Sequence, residues 1–227
     1  RVAGLRPPLV TLALLCGIAS VGIGTLASPV RQHAAAGDQA ISLNASRILL
    51  LAALVFLYSG TEMAIGGWVA ELSRRLPSEA SASRAALVAA VFWGGLTCGR
   101  GLVAISLTRR YEDHAVLAGL TLTALAVLLL ATTDAQLTFT IAAVLAGLGL
   151  GPVFPVTGAT VSRSLPARIA GPMLALGALG SAVIPWLVGA ISDASQSLAI
   201  GLGSLLVNLT ILFLLHLRRR IVMRRPA

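Results

Sequence analysis

The sequence contains no lysine, few charges of either sign and few aromatic rings. Of its 227 residues, 11% are charged and 4% are aromatic, whereas 57% are hydrophobic. A soluble domain carries about 25% charged residues, because its surface must face water. The mean hydropathy of +0.91 therefore argues against an ordinary soluble domain and indicates a chain that lies in a lipid bilayer.

Cysteine is also scarce, which excludes a disulfide-stabilised scaffold. Cys16 and Cys98 both fall in apolar runs, where we expect buried free thiols. His33, His114 and His216 lie in or beside polar gaps and show no metal-ligand spacing. Because the sequence also lacks a nucleophile–base arrangement and a phosphate-binding loop, we expect neither an enzyme nor a bound metal or cofactor.

The formal net charge is +9, and all 17 basic residues are arginines. A basic chain can bind nucleic acid, but these arginines stand in short gaps between apolar runs. That distribution is typical of a membrane topology signal, because cytoplasmic loops are enriched in basic residues. We therefore expect no nucleic-acid partner and place the basic tail, residues 217–227, in the cytoplasm.

Seven apolar runs are long enough to cross a bilayer, since a helix of about 20 residues spans about 30 Å of hydrocarbon. Backbone groups cannot remain unpaired in lipid, so each run is predicted to be a helix. The runs are residues 8–27, 48–70, 85–107, 115–132, 137–159, 172–191 and 198–216. The chain begins at Arg1 without a signal peptide, and we expect it to be part of a longer protein.

The last six runs divide into two groups of three with similar texture. The first members carry the glycine clusters SGTEMAIGGW and AGLGLGPVFPVTGA, and the second members contain WGGLTCGRG and LGALGSAVIPWLVGA. Helices interrupted by glycine or proline at corresponding positions of two repeats indicate a transporter binding site. Close helix packing through small residues is the alternative interpretation of each glycine.

These segments resemble a known family. GLGLGPVFPVTGA, followed by a short basic loop and LGALGSAVIPWLVGAISD, is similar to the tenth and eleventh helices of major facilitator superfamily transporters. LYSGTEMAIGGW followed by FWGGLTCGR resembles the seventh and eighth helices of the fucose-permease-like sugar branch, mainly through Glu62, Trp68 and the FWGG and GR motifs. The resemblance covers about residues 48–216.

The resemblance implies an all-α integral membrane fold. Residues 48–216 would form the C-terminal six-helix half of the superfamily fold, built from 3+3 inverted repeats. Residues 1–27 would contain the sixth helix of the parent protein, and residues 28–47 would be the central cytoplasmic loop. Five helices of the N-terminal half would then be missing from this sequence.

The superfamily signature after the eighth helix is altered in this sequence. The stretch GRGLVAISLTRRYEDH keeps Gly99, Arg100 and the basic pair Arg109 and Arg110. Arg109 occupies the position of the usual aspartate, and the glycine expected before it is absent. The resemblance still implies gating positions at Arg100, Arg109 and Arg110.

Glu62 is the only charged residue between Ile48 and Ala70. It lies about 14 residues into its run, or about 21 Å at 1.5 Å per residue. An acid at that depth usually faces a cavity or the bundle interior. Either it stays protonated and donates a hydrogen bond, or it ionises and binds a cation, a proton or a polyol; a bond to a neighbouring helix backbone is the structural alternative.

Arg100 lies nearer the cytoplasmic end of its run, so we expect no direct pair with Glu62. A side chain that extends to the headgroups or bonds loop carbonyls is the favoured interpretation of Arg100. Trp93 and Trp186 lie in corresponding runs and are candidates for stacking on a sugar, with lipid-facing filler as the alternative. Trp68 is interpreted as an interfacial anchor.

Three prolines, Pro152, Pro155 and Pro185, are predicted to interrupt their helices, because proline lacks an N–H and clashes with the preceding turn. Pro152 and Pro155 are therefore candidates for gating. A static kink is the alternative interpretation of each.

The sequence predicts a secondary active transporter for a small solute, with a sugar implied by the resemblance and a proton or sodium gradient as the energy source. The bilayer and the missing N-terminal half are its expected partners, and a bacterial inner membrane its expected location. A drug or metabolite exporter of the same superfamily is the close alternative. A complete seven-helix receptor or sensor is a further alternative.

Overall fold

A computed structural model describes residues 45–77, 82–106 and 111–224. The predicted helix at residues 8–27, the predicted loop up to residue 44, and Arg109 and Arg110 lie outside the described residues. Within the described ranges the chain forms helices and no strand. The helices are α1 (Ala45–Arg74), α2 (Ala82–Ser106), α3 (Glu112–Thr132), α4 (Gln136–Leu150), α5 (Val153–Ser164), α6 (Ala167–Ser195), α7 (Leu198–Gly203) and α8 (Leu205–Arg224).

Among the described residues, six helical spans are long and apolar enough to cross a membrane. They are α1, α2, α3, the α4–α5 pair, α6 and the α7–α8 pair. This confirms the six helices predicted between residues 48 and 216. The described part of the chain is all-helical, and its six long apolar spans indicate a multi-pass membrane protein.

The hydrogen-bond pattern of the fourth span is interrupted at Gly151 and Pro152, between α4 and α5, although both residues keep right-handed helical dihedral angles. The Gly151 N–H closes the last turn of α4 by donating to the Gly147 and Leu148 carbonyls at 3.0 and 3.3 Å. Pro152 then stands at the N-cap of α5, where the missing N–H of a proline costs little. The interruption therefore falls at Pro152, as predicted. Pro155 lies inside α5 and Pro185 lies inside the continuous α6, so the predicted interruption is wrong for these two prolines.

Glycines bring α1 against α6. A Cβ on Gly180 would lie 2.0 Å from the Phe56 carbonyl oxygen, and a Cβ on Gly60 would lie 2.2 Å from Cγ1 of Ile184. The contacts keep a constant sequence offset, so the two helices run parallel. Small residues here allow backbone contact without side chains between the helices.

Glycines also bring α2 against α4. A Cβ on Gly147 would lie 2.1 Å from the Phe92 carbonyl oxygen, and a Cβ on Gly95 would lie 2.5 Å from that of Val144. These helices also run parallel. Close packing, the alternative interpretation of the glycine clusters, therefore applies at these positions.

Polar side chains also form hydrogen bonds between the spans. The Asn208 amide of α8 donates to the Leu57 carbonyl at 3.2 Å and to the Thr61 hydroxyl. The Trp68 indole N–H donates to the Pro185 carbonyl at 3.0 Å, which joins α1 to α6. Trp68 is thus anchored to a neighbouring helix.

Candidate functional site

The central polar contact of the bundle joins Arg100 of α2 to α1. Arg100 Nη2 donates to both carboxylate oxygens of Glu62, at 2.9 and 2.7 Å, and to the Tyr58 hydroxyl at 3.1 Å. One guanidinium nitrogen therefore serves three oxygens. An arginine and a carboxylate within apolar spans neutralise each other, and this lowers the cost of burying either charge.

The prediction that Glu62 and Arg100 do not pair is wrong. α1 and α2 are antiparallel neighbours, and the Cα–Cβ bond of a helical residue tilts toward the N-terminus of its own helix. Glu62 therefore leans back along α1, and Arg100 leans the opposite way along α2. The two side chains converge across a difference in depth, and the long arginine stem completes the contact. The Arg100 guanidinium therefore binds Glu62 and Tyr58 rather than lipid headgroups or loop carbonyls.

Phe154 of α5 forms the third side of this cluster. The Arg100 Cζ atom lies 5.5 Å from the centroid of the Phe154 ring. That ring also stacks on Tyr58, with centroids 5.9 Å apart and planes inclined by 29°. An aromatic face attracts a guanidinium through its quadrupole. Phe154 lies directly after the interruption of the fourth span at Gly151 and Pro152.

The cluster is buried on one side and open on the other. Tyr58 is 1% exposed, and the side chains of Glu62 and Arg100 are 13% and 38% exposed. The Arg100 Nε atom is buried and has no hydrogen-bond partner among the described residues. An unpaired buried donor costs free energy, so this guanidinium has unused hydrogen-bonding capacity beside its ion pair.

Trp93 lies next to the cluster on the side of the loop that joins α1 to α2. Its ring packs against Gly66, one turn beyond Glu62 on α1, and a Cβ on Gly66 would approach Trp93 Cζ2 to 2.5 Å. Phe92 meets the ring edge-on at 5.2 Å. Trp93 is 36% exposed, so the structure brings this predicted site residue near Glu62 with part of its surface free.

Trp186 lies away from the cluster. It is 69% exposed and lines an open cavity of about 600 Å³ together with Trp68, Glu71 and Arg75. On a helix with 3.6 residues per turn, Glu71 and Glu62 point to opposite faces of α1. The two tryptophans predicted to bind substrate therefore do not meet at one site in this structure.

The remaining predicted positions are distributed as follows. Pro152 and Pro155 lie at the start of α5, immediately around Phe154. Cys98, which the sequence predicts to be buried, is exposed. No described helix covers that face of α2, so the prediction fails there.

Tyr58 and Phe154 belong to the cluster, although the sequence did not single them out. Tyr58 precedes Glu62 by one helical turn, a spacing that places both side chains on one face. Phe154 stands between the two prolines. Both signals are present in the sequence, but neither residue type points by itself to a charged site.

The described residues contain no group of three His, Cys, Asp or Glu side chains that could hold a metal ion. Comparison with protein-family models and with curated proteins gives no match for this chain.

Proposed function

We propose that this protein is a secondary active transporter of the major facilitator type, which moves a small solute, a sugar or a sugar-like molecule, by alternating access. The observation that carries the proposal is the Glu62–Arg100 ion pair, with contacts of 2.9 and 2.7 Å. This pair lies within two apolar spans and beside a third span whose hydrogen-bond pattern is interrupted at Gly151 and Pro152. The described spans form the C-terminal half in this proposal, and the N-terminal half is its partner.

The energetics of charge in a bilayer support a transport role. An ionised side chain in the hydrocarbon region is costly, and such residues usually line a substrate or ion pathway. A purely structural pair could be replaced by apolar residues of similar volume without loss of stability. The ion pair is partly accessible, since 38% of the Arg100 side chain is exposed.

The helix pairing supports the inverted-repeat arrangement. The first span packs in parallel on the fifth through Gly60 and Gly180, and the second packs in parallel on the fourth through Gly95 and Gly147. A two-fold relation that exchanges the first three spans with the last three converts one of these pairs into the other. Transporters built in this way place substrate and coupling ions near broken helices at the repeat interface.

Glu62 is the member of the cluster suited to couple transport to an ion gradient. It can take up a proton, or it can accept a sodium ion at its carboxylate oxygens. Either event weakens its attraction for Arg100 and changes what the guanidinium can bind. The basic residues that end α8 lie on the cytoplasmic side of a bacterial inner membrane in this proposal, because basic segments favour that side.

Uptake of labelled sugars into proteoliposomes tests the proposal, with the protein from the complete gene and with or without pH and sodium gradients. We expect gradient-dependent accumulation, and a loss of about tenfold or more in gradient-driven uptake for Glu62→Gln, because the variant cannot exchange a proton. Efflux instead of uptake would identify an exporter of the same type.

Glu71→Gln is the matched control for this experiment. Glu71 lies on the same helix, near its end, with 37% of its side chain exposed, and it pairs with Arg74 and Arg75 at 3.4 Å. Its replacement should leave uptake unchanged. Wild-type uptake and coupling in Glu62→Gln would remove the ion pair from the mechanism and contradict the proposal.

A further inference from the structure

We propose that the substrate carries a single carboxylate, as in a sugar acid, that this carboxylate binds to Arg100, and that it moves together with one proton, which Glu62 takes up. The inference rests on the proposed transport function and specifies the substrate class of the same site. Its basis is the unequal use of the Arg100 guanidinium and the charge balance of the pair.

Arg100 has unused donors beside its ion pair. Nη2 makes all three of its hydrogen bonds to Glu62 and Tyr58. Nε is buried without a partner among the described residues, and Nη1 makes no hydrogen bond to any of them. A guanidinium presents its donors as a planar fork that matches a carboxylate with two parallel hydrogen bonds. One end of this fork is formed by Nη1 together with Nη2, so an incoming carboxylate can bind there once Glu62 takes up a proton and releases Nη2.

Charge balance selects the combination of ligands that the site accepts. The empty pair is neutral, because Arg100 and the Glu62 carboxylate cancel. A carboxylate alone would add an uncompensated negative charge, and a proton alone on Glu62 would leave an uncompensated positive one. Both partial states are costly in a low-dielectric region. With both ligands bound the site is neutral again, so each ligand favours binding of the other.

A neutral sugar does not satisfy this balance. If it bound together with a proton, the loaded site would carry the charge of Arg100 alone. If it bound without one, the intact ion pair would keep Nη2 occupied. A carboxylate is the ligand that lets Arg100 exchange one anionic partner for another.

Few charged or titratable groups lie around Glu62, so no neighbouring charge compensates a change in the net charge of the site. Besides Arg100, the group in contact with the cluster is Tyr58, from α1 itself. Of the other ionisable side chains described in the packed helices, Cys98 is exposed on α2, His216 is buried within α8, and the rest lie near helix ends. The rest are Arg47, Glu71, Arg74, Arg84, Glu112, Asp113, His114, Arg163, Arg168, Asp193, Arg218, Arg219 and Arg220.

The cluster also offers surfaces for the uncharged part of such a ligand. Trp93 is partly exposed one turn beyond Glu62, and an indole face can stack on the apolar face of a polyol. Glu62, once protonated, becomes a hydrogen-bond donor while keeping an acceptor oxygen. A hydroxylated carboxylate therefore fits the chemistry better than a purely apolar one.

Proton uptake on ligand binding tests the inference directly. Gluconate is added to the purified full-length protein in weakly buffered detergent solution, and the pH is followed with an indicator dye. We expect about one proton taken up per gluconate bound in the wild type, because binding and protonation are linked. Glucose, the neutral comparison, should cause none.

Variants assign the proton and the carboxylate to their residues. In Glu62→Gln, whose amide is permanently neutral, gluconate should bind without proton uptake. In Arg100→Gln, gluconate binding should be lost. Glu71→Gln and Arg163→Lys, at exposed pairs outside the cluster, should behave as the wild type. If Glu62→Gln does not fold, the wild-type proton count still decides the question.

Uptake into proteoliposomes gives the second measurement. Gluconate accumulation should follow an imposed pH gradient and should not respond to a potassium diffusion potential, because the loaded and empty sites carry the same charge. Gluconate binding without proton uptake, or accumulation of glucose but not gluconate, would overturn the inference while leaving the transporter proposal in place. Absence of transport for every solute in every gradient would instead overturn the proposed function and the inference with it.

Discussion

Two arginines that lie between helices of this bundle differ in how fully they are bonded. Arg219 of α8 is 5% exposed; its Nη1 donates to the Thr160 hydroxyl at 2.7 Å, and its Nη2 to the Asp113 carboxylate. It thereby ties α8 to α5 and α3. Arg100 has a side chain that is 38% exposed, and its Nε has no partner among the described residues.

The difference separates a structural arginine from one that is available for a ligand. A buried charge with its partners in place fixes the helices around it. Arg219 meets that description. Arg100 is held on one edge by Glu62 and Tyr58 and keeps hydrogen-bonding capacity on the other, which is the condition for exchanging partners.

Arg219→Ala should produce the largest loss of stability. It leaves Asp113 without its arginine, and we expect about 3 kcal/mol of destabilisation, the lower end for a broken buried pair. Arg100→Ala should cost clearly less, because 38% of the Arg100 side chain is already exposed. Thermal unfolding in detergent measures both, and equal losses would break the distinction between the two arginines.

Gly147→Ala should have the next largest effect. Its Cβ would lie 2.1 Å from the Phe92 carbonyl oxygen, so α2 must shift away from α4 at a cost of about 2 kcal/mol. Gly94, where an added Cβ would meet nothing within 4 Å, is the control, and Gly94→Ala should be neutral or stabilising. Thermal unfolding of the two variants shows whether packing, rather than the ion pair, positions the helix that carries Arg100.

Asn208→Ala should have the smallest of the three effects. The Asn208 amide joins α8 to the Leu57 carbonyl and the Thr61 hydroxyl of α1, and hydrogen bonds between membrane helices contribute about 1 kcal/mol. Thr210→Ala is the control, since Thr210 is exposed and bonds only within its helix, to the Leu206 carbonyl. If Asn208→Ala lowers the unfolding temperature as much as Arg219→Ala does, a buried charged contact does not stabilise this bundle more than a neutral hydrogen bond.

The six spans and the interruption at Pro152 could be predicted because their causes are local, whereas Pro155 and Pro185 lie inside α5 and α6 without ending them. Hydrocarbon thickness fixes the length of an apolar run, and a proline removes its own N–H wherever it stands. Glu62 and Arg100 could each be selected as exceptional residues for the same reason. Their pairing could not, because sequence depth alone ignores the direction in which each side chain leans.

The location of Trp186 also could not be predicted from the sequence. Its position in a span matching that of Trp93 suggested a shared role, yet Trp186 lies at an open cavity with Glu71 and Arg75. Which face of a helix meets a neighbour depends on helix rotation. Small residues set that rotation here, at Gly60 and Gly180 for α1 and α6.

The order of residues was enough to establish a helical, multi-pass membrane protein with one acid and one arginine deep in adjoining spans, because hydrophobicity and charge are properties of single residues. The packing of the helices was needed to show that these two charges form a pair, that Tyr58 and Phe154 complete the cluster, and that Arg100 is left with a donor to spare. A hydrogen bond between two helices depends on their relative rotation and tilt, which no single stretch of sequence encodes.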